Sequence, residues 1–190
     1  KIGQDLDLFC FSDYVGGGLP LYTPRGTIIK DELQKEIEKV CRKYGFQKVS
    51  CPSLADISLF ETSGHAMKFN DELFRVESPK GHKYVLKPVQ CPHHTQIYQS
   101  KLRSYKDLPL RMGELGQVHR HEASGALNGL FRVRTFTQDD AHIFMTVDQI
   151  ESEVVRLIAF IDRVYSSLGL PYDIELSTRP EDKYIGKIET

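Results

Sequence analysis

Two extended stretches joined by a short link constrain the fold of this chain more than any other feature. Residues Leu110–His121 and Leu130–Phe144 show the alternation of side-chain polarity that is typical of strands with one buried face. The link between them, Ala123–Gly129, is rich in small residues and contains two glycines. A short flexible link favours antiparallel pairing, so we predict a long hairpin at this point of the chain.

Helices and further strands are predicted around this hairpin. Apolar residues recur at helical spacing before Gly45, and again near the end of the sequence. The predicted helices are Lys30–Lys43, Leu54–Thr62, Pro92–Leu102 and Val147–Leu168. The predicted strands are Phe46–Cys51, Leu73–Glu77, Tyr84–Lys87 and Tyr172–Leu176, and residues 1–24 are expected to form loops with short extended pieces. The pattern predicts an α+β fold with a mostly antiparallel β-sheet flanked by helices.

Composition narrows the class of protein. The 190 residues correspond to about one domain, and 25 Lys and Arg residues nearly balance 26 Asp and Glu residues. A nucleic-acid partner would therefore have to meet a local basic patch. The four cysteines form no Cys-x-x-Cys pair, which favours a reducing compartment, the cytoplasm or an organellar matrix. No apolar run approaches transmembrane length, so no membrane partner is expected.

Charged and aromatic residues cluster at the predicted hairpin. Arg120 and Glu122 end its first strand, and Arg132 and Phe136 begin its second. If the strands pair, these four side chains can project near one site. Arginine suits phosphate oxygens, a carboxylate can accept from an exocyclic amine, and an aromatic ring can stack on a base. The alternative is a surface hairpin with solvated charges and with Phe136 in the core.

The same residues carry a family resemblance. Arg120-x-Glu122, a variable loop, Arg132 and Phe136 match motif 2 of class II aminoacyl-tRNA synthetases. Gly45-Phe46-x-x-Val49-x-x-Pro52, after a long helix, matches motif 1. The chain thus resembles this class over motif 1 at about residues 27–52 and motif 2 at about residues 110–144.

Further segments resemble the threonyl-tRNA synthetase family. They are Thr62–His65, Lys87-Pro88, Cys91-Pro92-x-His94, Asp107–Met112, Arg132–Phe144 and Leu176–Pro180. The resemblance implies a threonine–tRNA ligase, which activates L-threonine with ATP to threonyl-adenylate and transfers it to the 3′ end of tRNA(Thr). It also implies Mg²⁺ with the ATP, a catalytic Zn²⁺, and a homodimer formed through motif 1.

The resemblance assigns roles to the nucleotide-binding residues. Arg120 would hold the α-phosphate and stabilise its developing charge. Glu122 would bind the adenine amino group, and Phe136 would stack on the adenine ring. Arg132 would reach the terminal phosphates.

The resemblance also assigns roles around the amino acid. Cys91 and His142 would be two of three protein zinc ligands, with the third outside this chain. Gln138 and Asp140 would line the threonine pocket, with Asp140 facing the hydroxyl. Without the family, a lone cysteine such as Cys91 is more often a small buried hydrophobe.

Two more residues complete the expected site. His65 would lie near the terminal ribose of tRNA and assist transfer, although a histidine in this position is more often a cap or surface residue. Val89 would line the threonine pocket, where the family usually has Met. Gln90 and His93 also depart from the family's usual Asn and Gly, and both flank the expected zinc ligand.

The resemblance covers residues 1–190 as the N-terminal portion of a class II synthetase catalytic domain. Motif 3 and the editing and anticodon-binding domains are not expected within them, so the chain alone is expected to be inactive. Another class II enzyme of the seryl or prolyl type is an alternative, but it should lack Cys91 and the Asp140-x-His142 set. A non-catalytic RNA-binding paralogue is a second alternative, but it should have lost Arg120 or a zinc ligand.

Overall fold

The computed structural model describes residues 1–180, which form an α+β fold. The α-helices are α1 (Ile2–Asp5), α2 (Pro24–Lys43), α3 (Ile57–Thr62), α4 (His65–Lys68), α5 (Cys91–Gln99) and α6 (Ile150–Ser167). The strands are β1 (Phe9–Cys10), β2 (Leu21–Tyr22), β3 (Gln47–Lys48), β4 (Leu54–Asp56), β5 (Arg75–Glu77), β6 (Lys83–Leu86), β7 (Leu110–His119) and β8 (Thr135–Phe144). In this described part of the chain, no helix is long and apolar enough to span a membrane.

The central sheet has the strand order β3–β7–β8. Strands β7 and β8 pair antiparallel along their whole length, from Leu110 opposite Phe144 to His119 opposite Thr135. Strand β3 joins the other edge of β7 in parallel, and it is the one parallel pairing among residues 1–180. The predicted hairpin and the mostly antiparallel sheet are therefore confirmed.

Local signals explain the bounds of the long helix α2. The Thr23 hydroxyl caps its first turn by accepting from the backbone N–H of Gly26, at 3.3 Å, and Pro24 occupies the first turn. Arg42 and Lys43 lie in the last turn, where a positive charge favours the helix dipole. The chain then leaves the helix through Gly45, whose φ of 84° suits glycine.

The two faces of the central sheet are covered by different helices. On one face, Cys41 of α2 lies 3.9 Å from Asp139 of β8, and Glu153 of α6 forms an ion pair with Arg111 of β7. Helix α5 covers the opposite face, where Tyr98 stacks on Phe144 with ring centroids 4.1 Å apart.

A smaller antiparallel sheet, with the order β4–β6–β5, lies beside α3. Phe60, Leu73 and Val85 form its buried apolar cluster. The segment that follows β6 leads directly into α5, so this sheet sets the position of residues 87–90 next to the central hairpin.

Several predicted secondary-structure elements differ from those in the structure. The strand predicted at Tyr172–Leu176 is absent, because residues 171–180 form no strand and Ile174 and Leu176 are exposed. The outer edge of β8 is free among the described residues, but this segment does not pair with it. Instead, the Tyr172 hydroxyl donates to Asp162 of α6 at 3.1 Å.

The predicted helix Leu54–Thr62 is wrong in its first turn. Residues Leu54–Asp56 form β4, because they pair with β6. The helix begins at Ile57, where the Asp56 carboxylate accepts from the Ser58 N–H at 2.9 Å. The strand predicted at Phe46–Cys51 is reduced to β3, and the second hairpin strand begins at Thr135 rather than Leu130.

Candidate active site

The candidate active site lies on the face of the β7–β8 hairpin that α5 covers. Residues directly opposite in an antiparallel pair project to the same side of the sheet. The register places Gly116 opposite Gln138, and Glu114 opposite Asp140. His142, two residues further along β8, lies opposite Met112 on the same face.

Helix α5 docks on this face through contacts along its length. Near the start of α5, the fully buried side chain of Gln90 lies over Gly116. A Cβ at residue 116 would fall 1.9 Å from Nε2 of Gln90, so only glycine leaves room for this approach. One turn later, Nδ1 of His94 lies 2.8 Å from Nδ1 of His142.

Asp140 acts electrostatically on both Cys91 and His142, so the three residues lie in one neighbourhood, although their ligand atoms do not converge within 4.8 Å of one another. Cys91 lies on α5 between Gln90 and His94. Burial is the larger cause that raises the pKa of the Cys91 thiol, and the negative charge of Asp140 raises it further. Burial and the neighbouring His94 lower the pKa of His142, and Asp140 opposes that shift. A thiol and a neutral imidazole beside a carboxylate are a donor set that fits zinc.

A buried polar network lies behind these residues. The Lys87 ammonium donates to the Cys51 carbonyl and to Oε1 of Gln90, both at 3.1 Å, and lies 3.5 Å from Oε1 of Glu114. The Cys51 N–H donates to that same carboxylate oxygen at 3.0 Å. The other Glu114 oxygen lies 3.3 Å from Nε2 of His94. The Glu114 carboxylate thus connects the central sheet to α5 and to the loop at Cys51.

Glu114 is ionised in this network. Burial by itself raises the pKa of the Glu114 carboxyl, but hydrogen bonds from Cys51 together with Lys87 and His94 outweigh it, and the net pKa lies below the ordinary value. The Lys87 ammonium is the matching buried positive charge.

Cys51, His94 and Glu114 form a second group with metal-ligand chemistry, since their donor atoms lie within 4.8 Å of one another. The Lys87 ammonium already balances the Glu114 carboxylate, and a metal cation would be repelled by it. Burial and Glu114 raise the pKa of the Cys51 thiol to about 12, so this sulfur is a neutral thiol. The chemistry of this second group is therefore unfavourable for a metal ion.

The four nucleotide-site candidates form two contacting pairs at the end of the hairpin. The Arg120 guanidinium lies over the Phe136 ring, 5.3 Å from its centroid, and its Nε donates to the Pro88 carbonyl at 3.2 Å. Nε of Arg132 donates to Glu122 at 2.9 Å. Since the Arg132 side chain is 59% exposed, this second ion pair is weak and a phosphate ligand can displace it at little cost.

Two predicted residues lie apart from this hairpin. His65 begins α4, and its Nδ1 lies 2.9 Å from the Ser63 hydroxyl. The Phe60 ring contacts both His65 and α5, with its centroid 6.2 Å from that of His65 and 6.0 Å from that of His93. Val89 packs against the apolar cluster of Phe60, and its place in the threonine pocket stays a prediction.

Three buried residues of the site have no role predicted from the sequence, and they are Lys87, His94 and Glu114. Lys87 and His94 belong to segments that carry the family resemblance, but their contacts depend on how α5 docks on the sheet. The signal that could have found Glu114 is its position, because a carboxylate in the middle of a buried strand requires a partner.

Comparisons with known proteins agree with this architecture. Residues 74–189 match the family model described as tRNA synthetase class II core domain (G, H, P, S and T). The threonine–tRNA ligase 2 of Bacillus subtilis (strain 168) is 47% identical over 182 residues, which are 96% of this chain and 28% of the relative. The chain spans about a third of the length of the curated relatives it matches.

Comparison with solved structures also points to class II tRNA synthetases. The crystal structure of the RNA binding domain of threonyl-tRNA synthetase from Cryptosporidium parvum Iowa II is 37% identical with a TM-score of 0.92, over 99% of this chain and 46% of that one. Prolyl-tRNA synthetase of Giardia lamblia, at 24% identity and a TM-score of 0.78 over 87% of this chain and 34% of that one, shares the fold. This chain therefore belongs to the family of tRNA synthetase class II core domains (G, H, P, S and T).

Proposed function

We propose that the protein is a threonine–tRNA ligase, and that residues 1–190 are the N-terminal portion of its catalytic domain. It activates L-threonine with ATP to threonyl-adenylate and transfers the threonyl group to the 3′ end of tRNA(Thr), a step of translation in the cytoplasm or an organellar matrix. The observation that supports this proposal is the position of Asp140, whose charge acts on both the Cys91 thiol and the His142 imidazole, beside a hairpin that ends in Arg120.

ATP binds, with Mg²⁺, at the end of the hairpin. The Arg120 guanidinium contacts the α-phosphate and stabilises the negative charge that develops when the threonine carboxylate attacks it. Phe136 stacks on adenine, and Glu122 accepts from its amino group. The contact of Arg120 with the Phe136 ring supports this arrangement, since it orders the guanidinium where base and phosphate would meet.

Threonine binds between β8 and the start of α5. Cys91 and His142 would hold a zinc ion together with a third ligand from outside this chain, and Gln138 and Asp140 would line the pocket, with Asp140 accepting from the β-hydroxyl. When bound, zinc offers open coordination positions for the amino group and hydroxyl of threonine. Valine lacks the hydroxyl, so a pocket built to bind that group rejects valine far better than shape alone could.

Transfer to tRNA is assisted by His65. An imidazole exchanges protons near neutral pH, and the ribose hydroxyl must lose a proton as it attacks the adenylate. The hydrogen bond between Nδ1 of His65 and Ser63 orients the ring and leaves Nε2 for this task.

We further propose that two copies pair through α2. Ile28, Ile29 and Leu33 of this helix are exposed apolar residues, and a cavity of about 610 Å³ lies between α2 and the hairpin. A second copy would cover them. Sedimentation equilibrium tests this: the protein is expected to be a dimer, an Ile29→Glu variant a monomer, and a monomeric wild-type protein would contradict the pairing.

Amino-acid-dependent exchange of pyrophosphate into ATP tests the proposed function. In the natural full-length protein that carries this sequence, threonine is expected to give the fastest exchange. Faster exchange with proline or serine would favour another class II synthetase. An absence of exchange with every amino acid, together with binding of tRNA, would favour the non-catalytic paralogue.

A further inference from the structure

Arg134 lies in the sequence between Arg132 and Phe136, two of the proposed ATP-binding residues, and its guanidinium donates hydrogen bonds to other segments of the chain. We propose that Arg134 is a positioning residue, which fixes the backbone of Glu122 and so places the Glu122 carboxylate for the amino group of adenine. The role of Glu122 rests on the proposed function, whereas the anchoring of its backbone is a property of the protein alone.

Two hydrogen bonds from Arg134 hold the backbone carbonyl of Glu122. Nε of Arg134 donates to this oxygen at 3.1 Å, and Nη2 donates to it at 2.9 Å. The direction of both bonds is fixed, because a guanidinium has only donors and a carbonyl oxygen only accepts. Glu122 lies beyond the residues that pair between β7 and β8, the last of which are His119 and Thr135. The guanidinium therefore supports Glu122 where the sheet no longer does.

Arg134 is itself anchored to the N-terminal part of the chain. Its Nη1 donates to the Gly17 carbonyl at 3.1 Å, and its backbone N–H donates to the Gly18 carbonyl at 2.7 Å. The Arg134 carbonyl accepts from the N–H of Arg120 at 2.9 Å. A Cβ at Gly18 would fall 2.8 Å from Cδ2 of Leu127, which belongs to the link between the two strands. The rigid guanidinium fork thus holds Glu122 and this link against residues 16–18.

The two arginines that contact Glu122 bind different groups of it. Arg132 donates to the carboxylate at 2.9 Å, and this ion pair is broken when Arg132 turns to the phosphates of ATP. The carboxylate, whose side chain is 15% exposed, is then free to accept from adenine. Because Arg134 holds the carbonyl instead, it keeps Glu122 in place without competing with adenine for the carboxylate.

The choice between two nucleotides separates positioning from a merely structural role. Purine riboside triphosphate lacks the amino group that Glu122 would recognise. In the natural full-length protein, kcat/KM for threonine-dependent pyrophosphate exchange is expected to be about 10–100-fold higher with ATP than with this analogue, as for a hydrogen bond to a charged group. A variant that is only less stable would lose activity with both nucleotides equally.

Arg134→Lys tests the fork while keeping the positive charge. An ammonium is a point charge and cannot span the carbonyls of Glu122 and Gly17. The preference for ATP is expected to fall about tenfold, because a small displacement of Glu122 removes its contact with adenine. Arg163→Lys, at an exposed arginine of α6, is the matched control and should keep the wild-type preference.

Hydrogen–deuterium exchange with mass spectrometry tests the anchoring itself. The amides of residues 122–129 are expected to take up deuterium faster in Arg134→Lys than in the wild type. Gly18→Ala reaches the same anchor from the other segment, since its methyl group would clash with Leu127, and is expected to have the same two effects. It keeps the test decisive if Arg134→Lys does not fold.

The outcomes separate this positioning role from the proposed function. Unchanged deuterium uptake at residues 122–129 in both variants would overturn the anchoring by Arg134. Faster uptake with an unchanged preference for ATP would overturn the positioning of Glu122. A wild-type protein with no pyrophosphate exchange for any amino acid would contradict the proposed function, and deuterium uptake would still decide whether Arg134 anchors Glu122.

Discussion

Arg111 of β7 and Glu153 of α6 form a bidentate ion pair that joins the central hairpin to the last helix. Nε of Arg111 donates to Oε2 at 2.6 Å, and Nη2 donates to Oε1. Both side chains are mostly buried, so removing one charge leaves the other without compensation. We expect Glu153→Gln to lower the free energy of unfolding by about 3 kcal/mol, measured by urea denaturation.

Glu151→Gln, at an exposed position in the same helix turn, is the control and is expected to cost less than about 0.5 kcal/mol. The effect of Glu153→Gln also depends on pH. The hydrogen bond from Arg111 lowers the pKa of the Glu153 carboxyl below its ordinary value, so the stabilisation is present well above that ordinary value and is lost as the pH falls through the depressed one. An equal difference between wild type and variant at pH 7 and at pH 3 would contradict the ion pair.

Gly116 is required by the close approach of Gln90. An added methyl group would fall 1.9 Å from Nε2 of Gln90, whose side chain is fully buried. We expect Gly116→Ala to destabilise the protein by about 1–3 kcal/mol in thermal or urea unfolding. Gly125→Ala is the matched control, because no atom lies within 4 Å of its Cβ position. Equal stability of the two variants would show that α5 does not dock as described.

Arg120 is expected to act on the chemical step of activation. In the natural full-length protein, Arg120→Ala should lower the rate of threonine-dependent pyrophosphate exchange by orders of magnitude, because it removes charge stabilisation in the transition state. Arg163→Ala, at an exposed arginine of α6, is the control and should exchange at the wild-type rate. A loss of less than about threefold in Arg120→Ala would reject its role at the α-phosphate.

His65 is expected to act after activation. His65→Ala should leave the rate of pyrophosphate exchange nearly unchanged and slow the single-turnover transfer of the threonyl group to tRNA by about 10²-fold or more. The structural alternative is that His65 only orders the turn with Ser63 at the start of α4. In that case both steps would fall together, and Ser63→Ala would reproduce the loss.

The fold could be predicted where local pattern and tertiary pairing agree. The β7–β8 hairpin followed from its alternation and short link, and α2 and α6 followed from apolar spacing and end signals. The predictions fail where pairing with a segment distant in the sequence determines whether a strand forms. Residues Leu54–Asp56 become a strand only because β6 lies beside them, and Tyr172–Leu176 finds no such partner among the described residues.

The site could be predicted only in part. Cys91 and His142 lie far apart in the sequence, and only the family resemblance selected them as a pair. Their environment depends on the docking of α5 through Gln90 and His94, which no local pattern encodes. Glu114 was missed for the same reason, because its partners come from three different segments of the chain.

The proposed threonine site between β8 and α5 would select its substrate by the hydroxyl. The most direct measurement is the ratio of kcat/KM for threonine to that for valine in pyrophosphate exchange, with the natural full-length protein. We predict a ratio of about 10⁴ or more in the wild type, and its collapse in Asp140→Ala and Cys91→Ala. Serine, which keeps the hydroxyl, is expected to be rejected only about 10–200-fold. A wild-type ratio for valine below about 200, the range that shape alone provides, would contradict the account.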